Sequence, residues 1–243
     1  MIPQVWNPAE VQEMRASFQR LYDQAQKLRT TQMFKGSSFV LNDRKDFVAV
    51  ARVVWAGAAE PALLKYSADP RILGMAAQLL GSREMDQLIN QAHFKVPNDG
   101  IGFPWHQDIQ HRDKKPGDWK DVNGRGSYVQ TLTCLDEMTE ANGPVMFIPH
   151  SGKKGRLDFK SSPDYSGTEY EESHGKYEAF DESKSVTGKA PAGSVILFGP
   201  YTVHGSFPNK SNQTRYTFIN GYAYPGANGR VYPGEGSGRR LKV

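Results

Sequence analysis

Five short runs in the latter two thirds of the chain do most to constrain its fold: "DQLINQAHFKV" from Asp86, "SYVQTLTCL" from Ser127, "GPVMFIP" from Gly143, "GSVILFGP" from Gly193 and "RYTFINGYAY" from Arg215. Each is rich in β-branched or aromatic residues and is bounded by Gly, Pro, Asn or Asp, the punctuation of strands. No helical pattern separates them, so a parallel α/β sheet is excluded. Short strands joined by long connections predict an antiparallel sandwich or barrel of jelly-roll type.

The first third of the chain reads differently. Asn7, Pro8 and Glu10 supply an N-cap, a proline at the first helical position and a carboxylate at the third. Behind them Val11, Met14, Phe18, Leu21 and Tyr22 recur at three- and four-residue spacing, an amphipathic stripe. A second helix is predicted from Asp69 as N-cap to Gly81 as stop. The expected organisation is one domain over 1–243: a helical scaffold over about 1–82 and a jelly-roll core over about 83–225. The stretch from about 152 to 189 is polar and poor in aliphatic residues, with isolated aromatics such as Phe159 and Phe180. Connections of that length are unusual inside a domain, and this one reads as a lid.

Composition narrows the function. The net charge of +4 is spread among acidic residues, which is no nucleic-acid footprint. The apolar run "FVAVARVVWAGAA" is too short to span a membrane and is broken by Arg52. A lone cysteine, Cys134, cannot form an intramolecular disulfide, and the opening residues lack a signal-peptide pattern. The expectation is a cytoplasmic protein acting on a small molecule, without nucleic-acid or membrane partners; oligomeric state has no signature here.

The chemistry concentrates in "GFPWHQDIQHRD", from Gly102. If His106 and Asp108 continue a strand, residues two apart share a face and aim an imidazole and a carboxylate at one point. A third ligand is available in His204, just past the strand-like "GSVILF". Two histidines and a carboxylate form the facial triad of non-haem iron(II) sites. Arg215 stands eleven residues beyond His204, and on a neighbouring strand its planar fork could take a carboxylate in bidentate fashion. A 2-oxoglutarate cosubstrate requires that: one end chelates the metal while the distal carboxylate meets the arginine. His111, in the charged run "QHRDKKPGDWKD", reads as solvent-facing, and His93 could share a strand face with Gln91.

The set "WHQD", "EANGPVMFIPHSGKKG", "GSVILFGPYTVHGSFPN" and Arg215 resembles the phytanoyl-CoA dioxygenase (PhyH) family of iron- and 2-oxoglutarate-dependent oxygenases over roughly Ile72 to Tyr224. The resemblance implies a double-stranded β-helix core, Fe(II) on His106, Asp108 and His204, and 2-oxoglutarate on Arg215 with Ser206 assisting. Gln91 and Gln130 would line the cosubstrate pocket. O2 would be consumed and succinate and CO2 released, with hydroxylation of a C–H bond as the default outcome. Phe103 and Trp105, which flank the ligands, are candidates for the substrate wall. Two departures, His150 where glycine is common and Leu132 where an aromatic is frequent, fall on the substrate side. The competing readings are a cupin-type metal enzyme without 2-oxoglutarate, which would need no Arg215, and a non-catalytic jelly-roll binding module, which would need no metal ligands.

Overall fold

Helix α1 (Pro8–Leu28) starts where the sequence predicts. Asn7 accepts from the Glu10 backbone N–H at 3.0 Å, and the Glu10 carboxylate accepts from the Asn7 N–H at 2.9 Å, a reciprocal capping box. Its buried stripe of Val11, Met14, Phe18, Leu21 and Ala25 lies on a sheet, where the Phe18 ring sits 5.3 Å from Phe94 and 5.4 Å from Tyr216. Each large side chain so buried contributes about 1.5–3 kcal/mol. The computed structural model describes residues 1–159 and 179–243.

Residues 32–54 correct the expected helical scaffold. They form an antiparallel meander of β1 (Gln32–Phe34), β2 (Ser37–Arg44) and β3 (Phe47–Val54). In β3 only Phe47 is exposed and Arg52 half-exposed, so the strand is covered on both faces. Such a strand shows no alternation, and its period is hidden in the sequence. Helices α2 (Ala56–Ala59), α3 (Pro61–Ser67) and α4 (Pro70–Leu80) follow. The last is capped by Asp69 and ended by Gly81 in the left-handed conformation at φ 70°.

The remaining elements are β4 (Glu84–Lys95), β5 (Phe103–His106), the single turn α5 (Ile109–Arg112), β6 (Tyr128–Cys134), β7 (Val145–Phe147), β8 (Val186–Thr187), β9 (Val195–Phe198), β10 (His204–Ser206), β11 (Arg215–Ala223) and β12 (Arg239–Lys242). They complete two antiparallel sheets. The larger runs β1-β2-β3-β4-β11-β6-β9, with β12 added to the end of β4 that β3 leaves uncovered; the smaller runs β5-β10-β7-β8. This is the mainly β jelly-roll architecture, with helix α1 packed on the outer side of the larger sheet.

Register in the larger sheet lays out the wall facing the smaller one. Lys95 stands opposite Arg215; Arg52, His93, Thr217 and Cys134 form the next row; Val54, Gln91, Ile219 and Leu132 the next; Gly221, Gln130 and Phe198 the last. The first two rows therefore carry the cationic groups, and the next sets Val54, Ile219 and Leu132 around Gln91. Residues 160–178 of the lid expected over 152–189 lie outside the described residues. Its described ends pack on Trp105: the Phe180 ring is 5.8 Å from it, and Glu182 accepts from the Trp105 indole N–H at 3.2 Å. No helix among the described residues is long and apolar enough to cross a membrane.

Candidate active site

A cavity of about 330 Å³ lies between the sheets, and His106, Asp108 and His204 stand on its rim. His106 ends β5 and His204 begins β10; the two are register partners, and their rings are 4.2 Å apart. Each imidazole is oriented by its own strand. Nδ1 of His106 lies 2.7 Å from the carbonyl of Pro104, and Nδ1 of His204 lies 2.9 Å from that of Thr202. A carbonyl only accepts, so Nδ1 carries the proton and each Nε2 keeps a lone pair for the cavity. Burial, then the neighbouring His204 and His111, hold the His106 imidazole well below its usual range, so it stays neutral.

Asp108 joins them by a different route from the one the sequence suggested. The strand stops at His106, and Asp108 has turned into helical geometry (φ −56°, ψ −30°) ahead of α5. That turn, and not strand alternation, brings the carboxylate back to the histidines. One ligand atom from each of the three lies within 4.8 Å of the others. The Oδ2 of Asp108 is buried and has no hydrogen-bond partner among the described residues. An orphaned carboxylate oxygen costs free energy unless something meets it. Two imidazole lone pairs and that oxygen fit a first-row divalent metal.

The other carboxylate oxygen faces Arg112, whose Nη2 is 3.9 Å from Oδ1, with both side chains almost fully buried. Arg112 lies between the rings of Tyr128 and Tyr232, 4.7 and 5.4 Å from their centroids, and donates to both hydroxyls at 3.1 and 3.3 Å. Tyr128 in turn donates to Gln130 Oε1. At Gly221 a β-carbon would collide with the Tyr128 hydroxyl and ring, so glycine is required for the tyrosine to reach that point.

At the opposite end Arg215 is 3% exposed. Nε donates to the Asn142 carbonyl at 3.0 Å, Nη2 to that of Gly143 at 2.6 Å, and Nη1 to the Thr217 hydroxyl. No acidic side chain among the described residues forms an ion pair with it. Burial pulls its pKa down to about 10, which still leaves a cation at neutral pH. Lys95, its register partner, donates to the carbonyls of Ile101 (2.5 Å) and Phe207 (2.9 Å), and burial, then the Arg215 charge, draws its pKa well down. These groups are held by neutral acceptors.

Residues 1–217 match the sequence profile of the phytanoyl-CoA dioxygenase (PhyH) family. The chain belongs to that family. It is 28% identical over 166 residues to L-proline trans-4-hydroxylase of Streptomyces griseoviridis, covering 62% of this chain and 58% of the relative. It is 30% identical over 182 residues to ectoine dioxygenase of Bordetella parapertussis, covering 67% of this chain and 54% of the relative. The match thus spans little more than half of either curated protein. In fold it resembles EvdO2 from Micromonospora carbonacea var. aurantiaca, solved with 2-oxoglutarate, at a TM-score of 0.64, 18% identity and coverage of 95% of this chain and 88% of that one.

Set against the PhyH pattern, Gln91, Gln130, Phe103 and Ser206 all line the cavity. Ser206 is not a hydrogen-bond partner of Arg215; Thr217 takes that place. Arg215 and His204 are not on adjacent strands but in opposite sheets, facing across the cavity. Trp105 is a further correction: it is 4% exposed and packs away from the cavity against Ile148, Phe180 and Val203. As the neighbour of the cavity-facing His106, Trp105 points outward by strand alternation, and a bulge brings Phe103 back to the cavity side. His204 pairs with His106 but Ser206 pairs with Phe103, so β5 spends three steps where β10 spends two, and alternation flips.

Four groups in the wall were not foreseen as site residues. Arg112 follows Asp108 by four, the spacing of an ion pair on one helical turn. His111, read as solvent-facing, lines the cavity with its ring 5.2 Å from that of His106. Lys95 continues the alternation of Gln91 and His93, and Arg52 was visible as the one charge in an apolar run.

Proposed function

We propose that this chain is an iron(II)- and 2-oxoglutarate-dependent dioxygenase that hydroxylates a C–H bond of a small molecule, its single domain spanning 1–243. The observation that carries the proposal is a pairing across one cavity: an orphaned Asp108 oxygen beside two oriented imidazoles, and a buried arginine whose contacts are all neutral. His106, Asp108 and His204 would hold the metal, leaving three positions for 2-oxoglutarate and O2. When bound, iron would activate O2, the oxidant, and 2-oxoglutarate would supply two electrons by oxidative decarboxylation to succinate and CO2, leaving one oxygen atom for the substrate C–H bond.

The chain's own residues then divide the remaining work. Arg215 binds the distal carboxylate of 2-oxoglutarate in its fork, with Thr217 turning the guanidinium toward it. Gln91, Gln130 and Ser206 offer hydrogen bonds along the cosubstrate. Val54, Leu132, Phe198 and Ile219 form the apolar lining that excludes water from the metal. Phe103, from the smaller sheet, closes the substrate side. The cavity is at the small end of ligand sites and must also admit 2-oxoglutarate, which favours a compact substrate on the scale of those that name the curated relatives, proline and ectoine. The buried free thiol of Cys134 suits a reducing compartment and supports the cytoplasm as location.

The test is anaerobic addition of 2-oxoglutarate to the Fe(II) protein. A weak visible charge-transfer band should form, and under air 2-oxoglutarate should be converted to succinate. Both should vanish in Asp108→Ala. A wild-type protein that retains iron but yields neither band nor succinate would overturn the reading.

A further inference from the structure

The two tyrosines that enclose Arg112 use their hydroxyls differently. Each accepts from the guanidinium, Tyr128 from Nη2 at 3.1 Å and Tyr232 from Nη1 at 3.3 Å. A guanidinium has no acceptor atom, so both hydroxyl protons must be placed elsewhere. Tyr128 gives its proton to Oε1 of Gln130, two residues along β6. The Tyr232 hydroxyl makes one hydrogen bond among the described residues, the one it accepts from Arg112. Tyr232 is nevertheless 8% exposed, and it lines the cavity beside Ile89 and Ile219. A buried donor without an acceptor costs free energy, and a ligand in the cavity can supply the acceptor.

Tyr232 is held in place from behind. It lies in the loop between β11 and β12, beyond the residues matched to the family profile. The Glu235 N–H donates to the Gly36 carbonyl and the Gly238 N–H to that of Gln87, both at 2.8 Å. The Ser237 hydroxyl donates to the Tyr232 carbonyl at 2.8 Å. At Gly234 (φ 110°) a β-carbon would collide with Trp55, so the loop packs its backbone directly on that side chain. Arg230 covers the Tyr232 ring at 5.1 Å from its centroid. The hydroxyl is therefore fixed where Arg112 polarises it, which strengthens it as a donor. An ammonium group brought there would meet the like charge of Arg112; an oxygen acceptor is matched.

We propose that Tyr232 is a substrate-binding residue, its hydroxyl donating to a carboxylate or carbonyl oxygen of the small molecule at the end of the cavity away from Arg215. The proposal rests on the dioxygenase reading above and adds to it a contact that selects among substrates.

The experiment uses the full chain loaded with Fe(II) and 2-oxoglutarate and compares wild type with Tyr232→Phe. That substitution keeps the ring between Arg112 and Arg230 and removes the hydroxyl alone. The probes are L-proline and L-pipecolate, their primary amides, and pyrrolidine and piperidine, which lack the acceptor. Binding is read anaerobically as a shift of the charge-transfer band, and aerobically as stimulated succinate release. At least one acid or amide should bind wild type more tightly than the corresponding bare ring. An acid ahead of its amide identifies the acceptor as a carboxylate, and the reverse order identifies a carbonyl. Tyr232→Phe should weaken the bound acid or amide by about tenfold, with 2-oxoglutarate affinity within about twofold of wild type. The absorption of the Co(II)-substituted variant should match wild type, which a hydroxyl that merely positions Arg112 against Asp108 would not allow. The proposal is overturned if no probe binds, if the bare rings bind as tightly as the acids and amides, or if Tyr232→Phe binds every probe normally. It is also overturned if that variant loses 2-oxoglutarate or alters the Co(II) spectrum. Absence of any band in the wild type is a different result: it removes the dioxygenase reading itself.

Discussion

The two ends of the cavity hold a buried arginine each, by opposite means. Arg112 faces a carboxylate and is enclosed by two tyrosine rings, so its charge is spent on a partner inside the protein. Arg215 is fixed as firmly, but by two carbonyls and a hydroxyl. Neutral acceptors orient a guanidinium without cancelling its charge. The difference separates a residue that positions part of the protein from one that waits for a ligand: where the internal counter-charge is missing, the ligand must supply it.

The largest expected effect breaks the Arg215 half of that comparison. In Arg215→Ala the distal carboxylate of 2-oxoglutarate would face a cavity without its partner, and affinity should drop by about 2–5 kcal/mol. Metal retention should survive, since the triad touches none of the Arg215 contacts. Titration of the anaerobic Fe(II) protein with 2-oxoglutarate measures both. An unchanged affinity would make Arg215 structural and would leave the cosubstrate without its main anchor.

Arg112→Met tests the other half. The substitution keeps much of the volume but removes the partner of Asp108 Oδ1 and the donor to the Tyr128 and Tyr232 hydroxyls. Residues that orient a metal ligand from behind typically cost about 10–100-fold in metal affinity or activity when removed, and turnover should fall within that range. The absorption of a Co(II)-substituted protein should change as Asp108 loses its orientation. Normal turnover with an unaltered Co(II) spectrum would show that Arg112 only fills space between the two tyrosines.

What the sequence disclosed follows the same division. His106, Asp108, His204 and Arg215 were legible because residue type and spacing in "HQD", "VHG" and the strand opening at Arg215 are themselves unusual. The routes that bring them together were not legible. Asp108 arrives through a helical turn, and Arg215 meets the triad across two sheets, because pairing between distant segments is decided by packing that no local window records. Trp105 shows the limit most directly. It was a candidate only because it flanks the ligands; as the neighbour of His106 it points to the opposite face, while a bulge in a four-residue strand returns Phe103 to the cavity. The β1–β3 meander escaped notice for a related reason, since β3 is covered on both faces and its apolar residues do not alternate.

Gly221 carries the comparison into stability. Its place is set by Tyr128, whose hydroxyl lies where a β-carbon would project. Gly221→Ala must push Tyr128 off Arg112 or shift β11, and overpacking of this kind costs about 1–3 kcal/mol. The thermal midpoint should fall, and turnover should fall with it if Tyr128 holds Arg112 in line with Asp108. Loss of stability with full turnover in the folded protein would confine the tyrosine to packing.

The smallest effect concerns His93, which sits among the cations of the Arg52 and Arg215 end. Burial and those charges place its folded pKa well below the ordinary histidine value, so the folded protein holds it neutral at a pH where the unfolded chain is protonated. Between its folded pKa and about 6.5, the unpaired value, the unfolded state therefore binds one more proton than the folded state. Stability rises with pH wherever the unfolded state is the more protonated, so this residue's contribution is lost as pH falls below about 6.5 and is complete above it. The slope from one such group is at most about 1.4 kcal/mol per pH unit. His93→Gln keeps a neutral polar group in the Arg52 row and removes the proton site. Denaturant unfolding at a series of pH values should show a shallower acid limb in the variant, with the two curves parallel above neutrality. Identical acid limbs would mean that His93 takes up its proton in the folded protein as readily as in the unfolded chain, and that the three surrounding cations are not close enough to weigh on it.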